Sequence, residues 1–242
     1  MTMEAADTSG QPGKPITVAV RLDHMDGWHT YWINPGTGAS TKLDWTLPKG
    51  WTAGPIQWPT PVPIKNQLGD VAGNGFEGTL YLPVDIQVPA DVAVGTAPIK
   101  VHARWLMCAE SCIPGQGDAE LDIQVGATAP KPNAQTRAAI AKQAMPQLRP
   151  DWSIQSSRSG ASVTLTITGA ASLKSPHFFS EDGLISTGAA QPIQADATRF
   201  TLTLAVSDRA PSVDMLRGVL AYTDEAGIYR GAQIRASFSS SH

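Results

Sequence analysis

Two cysteines, Cys108 and Cys112, are the residues of this chain best suited to chemistry, and three residues separate them. A disulfide stabilises a fold mainly by restricting the unfolded chain, and the effect grows with the loop that the bond closes. Because a bond between these sulfurs would close a very short loop, it would be a poor structural staple. A close pair is better suited to thiol exchange, in which one thiolate attacks a partner's disulfide and the second resolves the mixed disulfide.

Two other uses of the pair stay open at the level of the residues. One is a local structural disulfide, and the other is Cu(I) binding, since thiolates and thioethers are soft ligands. Met107 adjoins the pair, and a second cluster of candidate ligands contains His24, Met25 and His29. The simpler interpretation of both histidines is an exposed loop or strand edge, so we expect neither a metal nor another cofactor.

The loop between the cysteines offers little that would activate a thiol. It contains no lysine or histidine, and the charge of Glu110 would disfavour ionisation of a neighbouring thiol. We therefore do not expect the pair to be a strong oxidant that drives electron transfer. We expect the thiolate to be favoured only once a partner docks.

The segments that flank the cysteines alternate as the two strands of a hairpin do. Odd positions of residues 99–105 and 118–125 are apolar, whereas the even positions are basic in the first segment and include Glu120 and Asp122 in the second. If the segments pair, these acidic residues face the basic ones. The pattern predicts a hairpin with the cysteines in its connecting loop, where Pro114 and Gly115 also favour a turn.

The same alternation elsewhere predicts an all-β protein. Further strands are predicted over residues 16–22, 80–88, 162–168, 199–206, 219–223 and 231–238. A single short helix is predicted over residues 133–145, capped by Asn133 and stopped by Pro146.

The two halves of the chain differ in composition. Six of the seven tryptophans precede residue 106, and a Pro-broken segment separates the halves. We predict a first β-sandwich domain over residues 1–127, a linker with the short helix over residues 128–148, and a second β-sandwich domain over residues 149–242.

Overall composition excludes several functional classes. With 42% apolar and 16% charged residues the chain should fold, and its net charge of −3 lacks the basic excess that nucleic acid requires. No apolar run approaches the roughly 18 residues of a membrane-spanning helix. Neither a G-x-S-x-G nor an H-E-x-x-H motif is present, so hydrolase chemistry is unsupported.

A series of motifs is more specific than the cysteines alone. They are GWHTYWINPG at 27–36, DWTLPKGW at 44–51, GPIQWP at 54–59, GFEG at 75–78, WLMC at 105–108 and CIPG at 112–115. In this order they resemble the N-terminal periplasmic region of the DsbD/ScsB family of transmembrane thiol:disulfide reductases, and the ScsB-like branch in particular. The resemblance covers about residues 15–125, and PHFF at 176–179 with the strands after it is similar to the family's second periplasmic module.

The resemblance implies immunoglobulin-like sandwiches and a catalytic pair, Cys108 and Cys112, that cycles between dithiol and disulfide. By analogy, Cys112 reduces partners, and Phe76 matches the aromatic residue on the cap loop that shields the pair. In DsbD itself more residues separate the cysteines, so the C-x3-C spacing departs from that branch.

The resemblance also implies partners and a location. Electrons would come from a membrane-embedded reductase domain of the same full-length protein and pass to periplasmic thioredoxin-like proteins. We expect a monomeric periplasmic fragment of an inner-membrane protein that acts as a protein-disulfide reductase. The alternatives are a non-enzymatic immunoglobulin-like scaffold with a structural disulfide, and a Cu(I)-binding periplasmic protein linked to copper tolerance.

Overall fold

The computed structural model describes residues 1–170, 173–196 and 198–239, so residues 240–242 of the predicted second domain lie outside the described residues. Ten strands precede residue 126: β1 Thr2–Ala5, β2 Pro15–Asp23, β3 His29–Gly36, β4 Lys42–Thr46, β5 Thr52–Ile56, β6 Val62–Lys65, β7 Val71–Glu77, β8 Thr79–Gln87, β9 Gly95–Cys108 and β10 Cys112–Val125. The helix α1 Ala134–Lys142 is followed by β11 Ser153–Ser159, β12 Ser162–Thr168, β13 Lys174–Ser180, β14 Ile193–Ala195, β15 Arg199–Ala205, β16 Met215–Thr223 and β17 Tyr229–Ser239. The predicted all-β class with one short helix is confirmed.

Two compact units share the chain. The first contains Met1–Thr30, Ala39–Pro59 and Phe76–Gln143, and the second contains Tyr31–Gly38, Thr60–Gly75 and the described residues from Ala144 onward. Each unit therefore draws on several separate segments. The predicted domain boundaries after residues 127 and 148 stay a prediction about where the chain can be divided.

The first unit holds the cysteines. Its four-stranded sheet has the order β1-β2-β8-β5, and its hairpin β9-β10 pairs along β9 with β4 and with the first residue of β3. Alternation of β-branched and polar residues in these strands puts one face of each in the core. Val18 in β2 and Ile99 in β9 are fully buried as a result.

The helix also belongs to the first unit, and the prediction of it is confirmed. The side chain of Asn133 caps its first turn by accepting a hydrogen bond from the backbone N–H of Thr136. Gln143, just past the helix, exchanges two hydrogen bonds with the backbone of Tyr81 in β8, at 2.8 and 3.0 Å. The helix ends before the predicted stop at Pro146, and Gln143 has extended backbone.

The second unit is built on strands in the order β13-β16-β17-β11-β12-β15-β14. Its core contains apolar side chains from strands throughout this order, among them Leu165, Phe178, Leu202, Leu220 and Ile234. Trp32 also lies in this unit, although most tryptophans are in the other one. It is 1% exposed and meets Phe179 edge to face, with ring centroids 6.0 Å apart.

Candidate functional site

The predicted hairpin is present, and the cysteines terminate its two strands. The prediction that Pro114 and Gly115 form a turn in the loop is wrong, because both lie in β10 and pair with β9. Strands β9 and β10 pair in antiparallel register with Cys112 directly opposite Cys108, and the three residues 109–111 form the loop. The backbone N–H of Ala109 donates to the carbonyl of Ser111 at 3.1 Å, which tightens this loop.

Charged pairs lie across the hairpin, with one change from the predicted pattern. Lys100 pairs with Glu120 at 3.0 Å, as expected. His102 pairs with Asp118 at 2.8 Å. The expectation that Asp122 faces a basic residue is wrong, because the register sets it opposite Pro98.

An aromatic side chain lies across the hairpin just behind the cysteines. Trp105 stands opposite Gly115 in the register, and a Cβ atom added to Gly115 would lie 2.3 Å from the Trp105 indole nitrogen. Only glycine leaves room for the indole in this position. Pro114 is tolerated in β10 because β10 is an edge strand, where a missing backbone N–H breaks no ladder.

The two sulfurs form a disulfide, with the Cα atoms 4.1 Å apart. Their residues differ in exposure: Cys108 is 2% exposed, whereas Cys112 is exposed. Thiol exchange requires an attacking sulfur to approach along the S–S axis, so access decides which sulfur a partner reaches. A partner can approach this bond at Cys112.

His29 lies beside the pair, at a position that alternation along the strands does not predict. It is the first residue of β3 and stands directly opposite Cys108 of β9. The predicted exposed position of His29 is wrong, because the side chain is only 9% exposed. Burial lowers the pKa of His29, while the nearby charge of Glu77 acts in the opposite direction. The imidazole is therefore neutral at neutral pH.

His24 is held by two hydrogen bonds. Its Nδ1 lies 2.5 Å from the carbonyl oxygen of Gly78, which can only accept, so Nδ1 is the donor. Its Nε2 then accepts from the hydroxyl of Thr30 at 2.9 Å. Burial lowers the pKa of His24, which favours this neutral form. Both ring nitrogens are occupied, and the described part of the chain contains no group of three or more His, Cys, Asp or Glu side chains arranged for a metal ion.

Phe76 lies near the end of β7, in the same unit as the cysteines. It is 7% exposed, and its ring is parallel to that of Trp58 with centroids 6.1 Å apart. The next residue, Glu77, is exposed, and its charge reaches both His24 and His29. The end of β7 thus contributes to the electrostatics of the site, and the cap role of Phe76 stays a prediction.

Glu77 was missed as a site residue, and His29 was considered only as a candidate Cu(I) ligand, because neither is close to a cysteine in sequence. Both nevertheless lie inside motifs that carry the family resemblance, GWHTYWINPG and GFEG. Membership of those motifs was the signal that could have drawn attention to them.

Comparison with known proteins agrees with this fold. The family model described as thiol:disulfide interchange protein DsbD, N-terminal, matches residues 2–123. The N-terminal periplasmic domain of ScsB from Proteus mirabilis has the same fold, with a TM-score of 0.68 at 18% sequence identity over 98% of this chain and 92% of that one. The chaperone YadV aligns over 97% of this chain and 100% of its own at 11% identity, with a TM-score of only 0.23. No curated protein is significantly similar in sequence.

Among the residues that the structure describes, no helix has the length and apolar character needed to cross a bilayer.

Proposed function

The chain belongs to the family of DsbD N-terminal domains of thiol:disulfide interchange proteins, and we propose that it is a periplasmic protein-disulfide reductase module that works through Cys108 and Cys112. Its electrons come from a membrane-embedded reductase domain of the same full-length protein. Its substrates are disulfides of periplasmic thioredoxin-like proteins.

One observation carries this proposal: the exposed Cys112 is bonded to the buried Cys108 at the tip of a hairpin. A disulfide that closes so short a loop restricts the unfolded chain little and so adds little stability. A purely structural bond also has no need of an exposed sulfur. An exchange site needs one accessible sulfur for the partner and one protected sulfur that can close the ring again.

The exchange proceeds in two steps. The Cys112 thiolate attacks one sulfur of the partner's disulfide, which forms a mixed disulfide and releases the other partner sulfur as a thiolate. The Cys108 thiolate then attacks the Cys112 sulfur, which regenerates the disulfide and releases the second partner thiolate. Two electrons pass to the partner, and the two released thiolates take up protons.

Trapping tests the proposal. In a Cys108→Ser variant the mixed disulfide cannot be resolved internally, so reduced protein added to periplasmic extract should accumulate a covalent adduct that dithiothreitol releases. Mass spectrometry of the adduct should identify a thioredoxin-like protein. The matched variant Cys112→Ser, whose remaining thiol is buried, should accumulate far less. Absence of an adduct in both variants would contradict the proposal.

A further inference from the structure

We propose that His29 accepts the proton of Cys108 in the step in which Cys108 resolves the mixed disulfide. This inference rests on the proposed function and adds a residue to it. In the register of the sheet, His29 of β3 is the cross-strand neighbour of Cys108 of β9.

Register places the two side chains together. Residues directly opposite in an antiparallel pair project from the same face, with Cβ atoms about 4.5–5.5 Å apart. An imidazole nitrogen and a thiol sulfur that start from such positions are within reach of each other through ordinary rotamer choice. Both side chains are buried, at 9% and 2% exposure, so the pair is shielded from water.

A buried thiol needs such a partner. Low-dielectric surroundings disfavour the thiolate, yet only the thiolate is a nucleophile. Cys112 can lose its proton to solvent because it is exposed, whereas Cys108 is not in contact with bulk water to the same degree. A neutral base beside Cys108 removes this obstacle in the second step and is not needed in the first.

The groups around His29 suit it to this role. Burial keeps the ring neutral at neutral pH and so able to accept a proton. The negative charge of Glu77 in β7 stabilises the imidazolium once it forms, whereas a positive charge on His24, in the β2–β3 connection, destabilises it. Cys108 on β9 is the third titratable group beside the ring, and it supplies the proton.

The step balances without any outside reactant. The Cys108 thiol transfers its proton to His29, which leaves a thiolate and an imidazolium. The thiolate attacks the Cys112 sulfur, the bond between Cys112 and the partner breaks, and the electron pair leaves on the partner's sulfur. The imidazolium gives its proton to that leaving thiolate or to solvent, which restores neutral His29.

A small disulfide separates the two steps experimentally. Reduced protein in excess is mixed with dithiobis(nitrobenzoate), and release of thionitrobenzoate is followed by stopped-flow absorbance. The first release reports attack by Cys112 and the second reports resolution by Cys108; Cys108→Ser shows the first phase alone. In His29→Gln, which keeps a polar side chain that accepts no proton at neutral pH, the second phase should slow by about tenfold or more, since general bases contribute about 10²–10⁴-fold. The first phase should stay within about twofold.

The pH profile distinguishes proton transfer from a structural effect. In the unsubstituted protein the second phase should level off above neutral pH, where His29 is already neutral, whereas in His29→Gln it should keep rising with pH. His29→Phe, of similar volume, should behave like His29→Gln, and circular dichroism establishes that each variant is folded. His102→Gln is the matched control: His102 is a partly exposed histidine of β9, the strand of Cys108, and its replacement should change neither phase.

Contrary outcomes are distinct for the two proposals. An unchanged second phase in His29→Gln, or an equal slowing of both phases with the pH profile unaltered, would overturn the role of His29 and leave the proposed exchange function intact. Lack of a second release in the unsubstituted protein would overturn the exchange function itself, and the role of His29 with it.

Discussion

Cys112 stands directly opposite Cys108 at the closing pair of the β9–β10 hairpin, and the disulfide spans a loop of three residues. The hairpin continues behind this pair through 14-residue strands. Backbone pairing along those strands, rather than the disulfide, therefore holds the two cysteines in place. Reduction of the disulfide should therefore leave the rest of the hairpin paired.

Reduction should cost little stability. Closing a loop this short restricts the unfolded chain by only about 2 kcal/mol, compared with about 4.7 kcal/mol for a loop of about 100 residues. Urea unfolding of the chain with and without dithiothreitol should give free energies that differ by no more than this. The double variant Cys108→Ala, Cys112→Ala should match the reduced protein. Unfolding of the chain upon reduction would show that the bond is structural.

The two thiols should react at different rates with an alkylating agent. Cys112 is exposed and Cys108 is buried, and reactivity requires both thiolate character and access. Iodoacetamide should therefore modify Cys108→Ser, which retains Cys112, faster than Cys112→Ser by on the order of tenfold. Mass spectrometry of timed samples measures both rates. Equal rates in the folded variants would contradict the asymmetry on which the proposed order of attack depends.

Removal of the Glu77 charge should shift the titration of His29. Burial lowers the pKa of His29, and Glu77 partly offsets this by stabilising the imidazolium. Glu77→Gln should therefore lower the pKa of His29 further, which nuclear magnetic resonance detects through the imidazole proton signals. Asp118→Asn, which removes the partner of His102 in the same hairpin, is the matched control and should leave His29 unaffected. A rise in the pKa of His29 in Glu77→Gln would be inconsistent with the geometry.

The second unit should lose stability in mild acid through His177. Burial lowers the pKa of His177 from 6.5 to about 4, and its ring packs 4.5 Å from that of Phe179. The folded state therefore resists protonation that the unfolded state accepts. The resulting stability is complete above pH 6.5 and is lost as the pH falls towards about 4.

The size of this loss has an upper bound of about 3.5 kcal/mol, because the pKa falls from 6.5 to about 4 and each pKa unit corresponds to about 1.4 kcal/mol. Urea unfolding at neutral and acidic pH measures it. His177→Gln should lose less stability between neutral and acidic pH than the unsubstituted chain. His102→Gln, at a partly exposed position of the first unit, should lose as much as the unsubstituted chain. Equal acid sensitivity in all three proteins would remove His177 as the cause.

Local patterns predicted much of the fold. The alternation of residues 99–105 and 118–125 predicted the hairpin, and the pairing of Lys100 with Glu120 follows from it. Asn133 likewise predicted the start of the helix, because an N-cap acts on the backbone two or three residues ahead. These features depend on neighbours in sequence or on a single tight connection.

Contacts between strands that are distant in sequence could not be predicted in the same way. His29 meets Cys108 only because β3 pairs with β9 across 79 residues of chain (108 minus 29). Trp32 is three residues further along the same strand and lies in the second unit, where Phe179 contacts it. Alternation identifies strands and their faces but does not say which strands pair, so the electrostatic surroundings of the cysteines could not be derived from it.

The reduction potential of the Cys108–Cys112 disulfide tests the central claim most directly. The protein is equilibrated with mixtures of reduced and oxidised dithiothreitol, and the reduced fraction is measured by mass after rapid alkylation. A reversible exchange site should have a potential near the thioredoxin value of about −270 mV. A value well below about −300 mV, or a bond that stays oxidised throughout, would identify a structural disulfide and contradict the account.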